Sequence, residues 1–251
     1  MSHHTSSLSG KVALITGAAR RIGAVIARRL HHAGMRVIIH YRHSQSEATA
    51  LYDYLNAERP GSAALVTADL GRHDELVRLA QEAQGVWGQV DALVNNASGF
   101  FPTAMGSVTP AQWDELMNSN LRAPFFLTQA LAPTLAAVKG AVVNIVDIHA
   151  ERPLKDYPVY SMAKAGLAMM TRALARELGP HIRVNGVAPG AILWPEAGLE
   201  DDIKQHILGR TALHRPGDPR DIANAVVYLL RDAPYVTGHI LVVDGGRSLG
   251  A

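Results

Sequence analysis

Tyr160 and Lys164 stand four residues apart in Tyr160-Ser161-Met162-Ala163-Lys164. Residues at that spacing share one face of a helix, so a phenol and an ammonium can converge on one site. A free tyrosine ionises near pH ~10, and a neighbouring cation favours its phenolate. On that reading the pair makes a proton donor useful near neutral pH. A carboxylic acid, Asp147, closes the run Ala141-Val142-Val143-Asn144-Ile145-Val146-Asp147, thirteen residues before the tyrosine. Far upstream, Thr16-Gly17-Ala18-Ala19-Arg20-Arg21-Ile22-Gly23 follows a short apolar run. Glycine at 17 permits a tight turn and glycine at 23 close helix–strand packing, so the N–H groups of the next helix can face a pyrophosphate. Arg21 takes the place of the middle glycine of a three-glycine pattern, and its guanidinium can fork onto phosphate oxygens.

A site that binds a ribose 2′-hydroxyl commonly carries an acid about 20 residues beyond such glycines. Between Ala24 and Ser46 there is none; the stretch ends His40-Tyr41-Arg42-His43-Ser44. A cation and hydroxyl donors at that place suit a 2′-phosphate, so the expected cofactor is NADPH rather than NADH.

These groups need elements to hold them. Short β-branched runs at Val12–Thr16, Arg36–Tyr41, Ala64–Thr67, Ala92–Asn95, Ala141–Asp147, Arg183–Ala188 and Ile240–Val243 read as strands. Between them Ile22–His32, Ser46–Glu58, His73–Gln84, Pro110–Ala137, Tyr157–Leu178 and Pro219–Leu230 read as helices. Pro110 and Pro219 fall where a helix begins, and Asp218 is placed to cap the last. Strict alternation predicts an α/β fold: a single-domain, Rossmann-type, doubly wound fold with a seven-stranded parallel sheet flanked by helices. The domain is expected over 10–251, after a flexible N-terminal segment over 1–9. The irregular stretch of about 190–217 is the natural substrate lid.

The 251 residues are 48% hydrophobic, enough for a sizeable core, and the formal net charge is only +2. No basic stripe argues for a nucleic acid partner, and no apolar run reaches the ~18 residues of a membrane span. Cysteine is absent, which excludes disulfides and thiolate metal sites. His3 and His4 lie in a polar start without the apolar stretch of a signal peptide, and no metal site is expected. A cytoplasmic protein is the default expectation.

Taken in order, Thr16-Gly17…Gly23, Asn95-Asn96-Ala97, Asn120, Tyr160…Lys164 and Pro189-Gly190 resemble the short-chain dehydrogenases/reductases. The likeness runs from about residue 10 to 247 and includes Val236-Thr237-Gly238 and Asp244-Gly245-Gly246. It implies that Tyr160 and Lys164 are catalytic, with Lys164 also holding the nicotinamide ribose. It implies that Asn120 steadies a water bound to that lysine and that Asp69, in Ala68-Asp69-Leu70, contacts adenine. By the same likeness Gly17, Arg21, Ile22, Gly23, Leu70, Asn95, Asn96, Ala97, Pro189 and Gly190 line the cofactor site. It further implies a homotetramer packed through the helices over 110–137 and 157–178.

Most members of that family have a serine where this chain has Asp147. Desolvation favours the neutral form of a carboxyl group, so an acid closed in beside a nicotinamide suits reduction of a ring C=N bond, whose nitrogen needs a proton. Asp147, Arg21, the His40–Ser44 run and Asn95-Asn96-Ala97-Ser98-Gly99-Phe100-Phe101-Pro102-Thr103 together resemble pteridine reductases. That likeness implies that Phe100 stacks on a pterin and that Ser98 bonds to substrate and cofactor phosphate. Trp194 reads either as part of the lid over the substrate or as packing at the lid base or a subunit contact. The expected activity is NADPH-dependent reduction of a pterin, dihydropterin or dihydrofolate-like ring. The alternatives are a short-chain carbonyl reductase acting on 3-oxoacyl, sugar or quinone substrates, and a non-catalytic NADPH-binding sensor.

Overall fold

The computed structural model describes residues 7–194, 198 and 200–250. In chain order the elements are β1 (Val12–Ile15), α1 (Arg21–His32), β2 (Arg36–Tyr41), α2 (Gln45–Glu58), β3 (Ala63–Thr67), α3 (His73–Trp87) and β4 (Ala92–Asn95). Then come α4 (Pro110–Met117), a π-helical turn (Asn118–Arg122), α5 (Ala123–Ala137), β5 (Ala141–Ile145) and a short 3-10 turn (Ile148–Ala150). The chain continues with α6 (Pro158–Leu178), β6 (Arg183–Pro189), α7 (Asp201–Gly209), α8 (Pro219–Arg231), β7 (Ile240–Val243) and a last 3-10 turn (Arg247–Leu249).

Strands buried on both faces read as continuous apolar runs, and β1 and β4 have no exposed residue. All seven strands pair in parallel in the order β3-β2-β1-β4-β5-β6-β7, the doubly wound sheet that the alternation predicts. Strand order reverses between β1 and β4, which opens a crevice at their C-terminal ends. One face is closed by Ile26 and Leu30 of α1, Leu51 and Leu55 of α2, and Val226 and Leu229 of α8. Leu76 and Leu79 of α3 with Leu127 and Leu131 of α5 close the other.

Local chemistry explains where the helices start. Thr109 and Asp218 each cap a helix through a reciprocal capping box, with proline at the first helical position. The single helix expected over 110–137 is instead divided. Pro124 has no N–H to return to the carbonyl of Asn120 four residues back, and Ala123 N–H bonds to the carbonyl of Asn118, one residue further than α-helical register. The strand expected to reach Asp147 ends at Ile145, and Asp147 instead caps the following turn, its Oδ1 accepting from His149 N–H at 2.9 Å. At the N-terminus, Leu8 is buried in the core, so the anchored chain begins before Gly10; residues 1–6 of the segment expected to be flexible lie outside the described residues.

Within the region expected to be irregular, α7 forms a helix that buries none of its residues. Ile203 and Ile207, four apart, with acids in the first turn, were the faint sequence signal for it.

A polar ladder ties the central strands to α6. Asn95 Nδ2 donates to Asn144 Oδ1 at 2.8 Å, Asn144 Nδ2 to Thr171 Oγ1 at 2.9 Å, and Thr171 Oγ1 to the carbonyl of Leu167 at 2.8 Å. All three side chains are buried, so removing the middle one strands its partners away from water. Asn144→Ala is therefore expected to cost about 2 kcal/mol, or roughly 4–8 °C in Tm by thermal unfolding.

Candidate active site

Tyr160 and Lys164 point from the first turns of α6 into the crevice, and both are buried. The Tyr160 hydroxyl donates to Asp147 Oδ2 at 2.7 Å, and Lys164 Nζ donates to the carbonyl of Ile145 at 2.9 Å. The ammonium lies 5.7 Å from the centre of the Tyr160 ring. The three candidates that sequence places thirteen and four residues apart thus meet in one site.

The electrostatics differ from expectation. Burial, followed by the charge of Asp147 and its hydrogen bond, pushes the Tyr160 phenol well above its ordinary range; the Ser98 hydroxyl acts the other way. The expected acidifying effect of Lys164 is not among the causes of this shift; burial lowers the pKa of its own ammonium to about 8. The resting arrangement therefore keeps the proton on Tyr160, while both oxygens of Asp147 accept, one from Tyr160 and one from His149 N–H.

Gly17 and Gly23 are required at their positions. Gly17 has φ +61°, and a Cβ there would meet Ala97 Cα at 3.0 Å; a Cβ on Gly23 would lie 2.3 Å from the carbonyl oxygen of Gly17. Thr16 Oγ1 accepts from the N–H groups of Asn96 and Ala97, and Asn96 Nδ2 donates to the carbonyls of Thr16 and Gly17. α1 begins with neither a side-chain cap nor an acid in its first turn, which leaves its N-terminus suited to an anion. Arg21, at φ +52°, adopts the left-handed backbone that glycine favours. One of its Nη atoms donates to the main-chain carbonyl of Trp194 at 3.1 Å, joining the turn to the start of the lid.

His40 enters the site as a brace. Its ring is buried; Nδ1 accepts from Gly17 N–H at 3.1 Å and Nε2 faces the carbonyl of Ala68 at 3.1 Å, so both nitrogens are engaged within the protein. Burial lowers its pKa to about 4, against smaller opposing contributions from Ala68 and Asp69. Arg42 pairs with Asp69 at 3.6 Å with half of its side chain exposed, and Asp69 Oδ1 also accepts from Gly71 N–H.

A cavity of about 960 Å³ runs along the strand ends. Of the residues expected from sequence, Gly17, Arg21, Ile22, Gly23, His40, Tyr41, Arg42, His43, Ser44, Asp69 and Leu70 line one part of it, and Asn96, Ala97, Ser98, Phe100, Asp147, Tyr160, Lys164, Pro189, Gly190 and Trp194 line another. Two expected residues do not reach it. The Asn95 amide is spent in the buried ladder. The Asn120 side chain is fully buried beneath the wall, donating to the carbonyls of Gly99 and Leu116 and accepting from Ser98 Oγ at 2.7 Å.

Sequence reading missed other wall residues. Phe100 stacks on Tyr157 with ring centres 4.6 Å apart and meets Tyr160 edge-on at 4.9 Å. Arg247, from the turn after β7, lines the cavity too; burial lowers its pKa while the charges of Asp147 and Asp244 oppose that shift. Ile203 and Ile207 of α7 complete the lid side. Of these, Tyr157, three residues before Tyr160, and the Ile203/Ile207 pair, four apart, carried a signal in the chain itself.

The sheet order, glycine turn and Tyr–Lys pair define a nicotinamide-dinucleotide oxidoreductase. A family model described as enoyl-(acyl carrier protein) reductase matches residues 17–248, and the chain belongs to this family of short-chain dehydrogenases/reductases. It is 34% identical to pteridine reductase 1 of Leishmania tarentolae, with 98% of this chain and 99% of that protein covered. It is 35% identical to a 3-oxoacyl-(acyl-carrier-protein) reductase of Staphylococcus epidermidis, with coverages of 94% and 98%. Among solved structures it superposes on a blue fluorescent protein from a metagenomic library in complex with NADPH, at TM-score 0.90 and 37% identity over 96% of this chain and 99% of the other.

Because the fold holds His40 neutral, the unfolded chain takes up a proton that the native state refuses between pH 6.5 and about 4. Stability from this group is complete above 6.5 and falls as pH drops towards 4, by about 3 kcal/mol at most. Urea unfolding across that range is expected to show this slope, and His40→Asn is expected to flatten it.

Proposed function

We propose that this chain is an NADPH-dependent reductase of a ring C=N bond in a pterin, dihydropterin or dihydrofolate-like substrate. The observation that carries the reading is the 2.7 Å hydrogen bond from Tyr160 to Asp147 Oδ2, walled by the Phe100 ring. The residues present suit NADPH. The glycine cradle has no room for a Cβ, α1 opens uncapped on it, and Arg42 with Ser44 offers a cation and a hydroxyl at the expected 2′-phosphate position. The NADPH complex of the similar fluorescent protein and the pteridine reductase relative support the same reading.

When bound, NADPH supplies a hydride for the ring carbon and leaves as NADP⁺, and the adjoining ring nitrogen gains a proton. Phe100 offers an aromatic face on which a flat heterocycle stacks. Tyr160 Oη stores the proton, and Asp147 Oδ2 is the acceptor through which it is presented to the ring nitrogen. The Lys164 ammonium then stabilises the phenolate left behind. Arg247 balances the charge of Asp147 on the substrate side. The segment over 190–217, tethered by Arg21 at Trp194, closes over the substrate and excludes water; residues 195–197 and 199 lie outside the described residues. Exposed Phe125 on α5 and Met162 and Met169 on α6 fit a homotetramer packed through these helices, to be checked by light scattering.

A carbonyl reductase is the second reading, favoured by the 3-oxoacyl reductase relative. NADPH oxidation against dihydrobiopterin, dihydrofolate, an acetoacetyl thioester and a quinone separates the two. The proposal expects turnover of the pterins and fails if only the carbonyl substrates react. Tyr160→Phe is expected to lower kcat by about 10³-fold while NADPH affinity stays within a few-fold. Asp147→Ser is expected to lower pterin turnover by at least about tenfold, and unimpaired turnover would refute the role of the carboxyl group. In fluorescence titration, NADPH is expected to bind more than about tenfold tighter than NADH.

A further inference from the structure

His31 and His32 end α1, and Glu58 ends α2; neither helix end faces the catalytic crevice residues described above. Glu58 Oε2 lies 3.5 Å from His31 Nδ1 and 3.2 Å from His32 Nε2, and all three atoms fall within 4.8 Å of one another. Among the described residues this is the one group of three such ligands in reach of a common point. Ligands held at 2.0–2.1 Å around a tetrahedral zinc are separated by about 3.3 Å, close to the two distances seen.

The hydrogen bonds around His31 fix its tautomer. Ser62 Oγ donates its proton to the carbonyl of Arg59 and so accepts at 2.7 Å from His31 Nε2–H. Nδ1 of the neutral ring therefore carries a lone pair. That atom is buried without a hydrogen-bond partner, and it faces a carboxylate oxygen. Two electron-rich atoms turned towards each other are stabilised by a cation between them.

We propose that His31 Nδ1, His32 Nε2 and Glu58 Oε2 form a binding site for a divalent transition-metal ion, best matched by Zn²⁺. Two imidazoles and a carboxylate are borderline-soft donors suited to that ion. Each buried or anchored ligand has the supporting partner that metal sites use: Ser62 on the far nitrogen of His31, and the Tyr54 hydroxyl on Glu58 Oε1 at 2.6 Å. The C-terminal ends of α1 and α2 converge here, and their partial negative charge favours a cation. Arg59 opposes it, but its guanidinium is turned to the carbonyls of His31 and Met35 rather than into the ligand triangle. The His32 and Glu58 side chains are 48% and 35% exposed, which leaves a path from solvent and room for a water as fourth ligand. The ion would clip α1, whose other end meets the glycine turn, to α2. The absence of cysteine hid this site from a sequence reading, because the ligands come from two helices and only the fold joins them.

The test uses the full-length chain made without an affinity tag, stripped with a chelator and titrated with Zn²⁺ by calorimetry. His3→Ala/His4→Ala serves as the background that removes the other paired histidines. One Zn²⁺ per chain with micromolar or tighter Kd is expected, and His32→Ala or Glu58→Gln should each weaken it by at least about tenfold. Co²⁺ should give the intense visible absorption of a four-coordinate site in the background protein and lose it in either variant. A Zn²⁺ excess of about a hundredfold over Kd should raise Tm by roughly 5–10 °C. The proposal is overturned if the background protein binds no stoichiometric Zn²⁺, or if binding and the Co²⁺ spectrum survive both ligand substitutions.

Discussion

The hydrogen bond between Tyr160 and Asp147 is the constraint on which the candidate site depends. A phenol and a carboxyl group 2.7 Å apart in a buried setting cannot both lose their protons without severe repulsion. The fold resolves this by leaving the proton on the tyrosine, and Asp147 is engaged at both oxygens. Lys164, desolvated to about 8 and bound to the Ile145 carbonyl, stands behind the pair as a charge ready to offset a phenolate. The chemistry available is proton delivery at one end of a cavity whose other end is built for a dinucleotide.

That geometry is held by polar contacts well below the cavity surface. The Asn95–Asn144–Thr171 ladder sets α6 against β4 and β5, and so sets where Tyr160 points. Pro124 interrupts the long helix beside it, and the resulting turn buries Asn120 under Ser98 and Gly99. On the dinucleotide side, His40, Thr16 and Asn96 brace the glycine turn through its own backbone. Such contacts rigidify a site because each buried donor or acceptor has one good arrangement and a high cost for any other.

Identity over the whole chain does not sort substrates here. The pteridine reductase and the 3-oxoacyl reductase are 34% and 35% identical to it, each over nearly its full length. What a fold binds is set by the side chains of its site rather than by its frame, and here Ser98, Phe100, Asp147, Tyr157 and Arg247 all line the same cavity.

The chain's own pattern determined the alternation of strands and helices, the glycine turn, the Tyr–Lys pair and the missing acid after β2, because each is written in neighbouring residues. Tertiary structure decided what depends on distant groups meeting. It gave His40, which lines the cavity, the added part of a brace, withdrew Asn95 and Asn120 from the cavity, and brought Arg247 and Tyr157 into it. It also reversed the direction of the Tyr160 shift, since burial and the charge and hydrogen bond of Asp147 outweigh the Ser98 hydroxyl. Backbone preference and periodicity are local quantities, whereas desolvation and charge proximity exist only once the chain has closed around them.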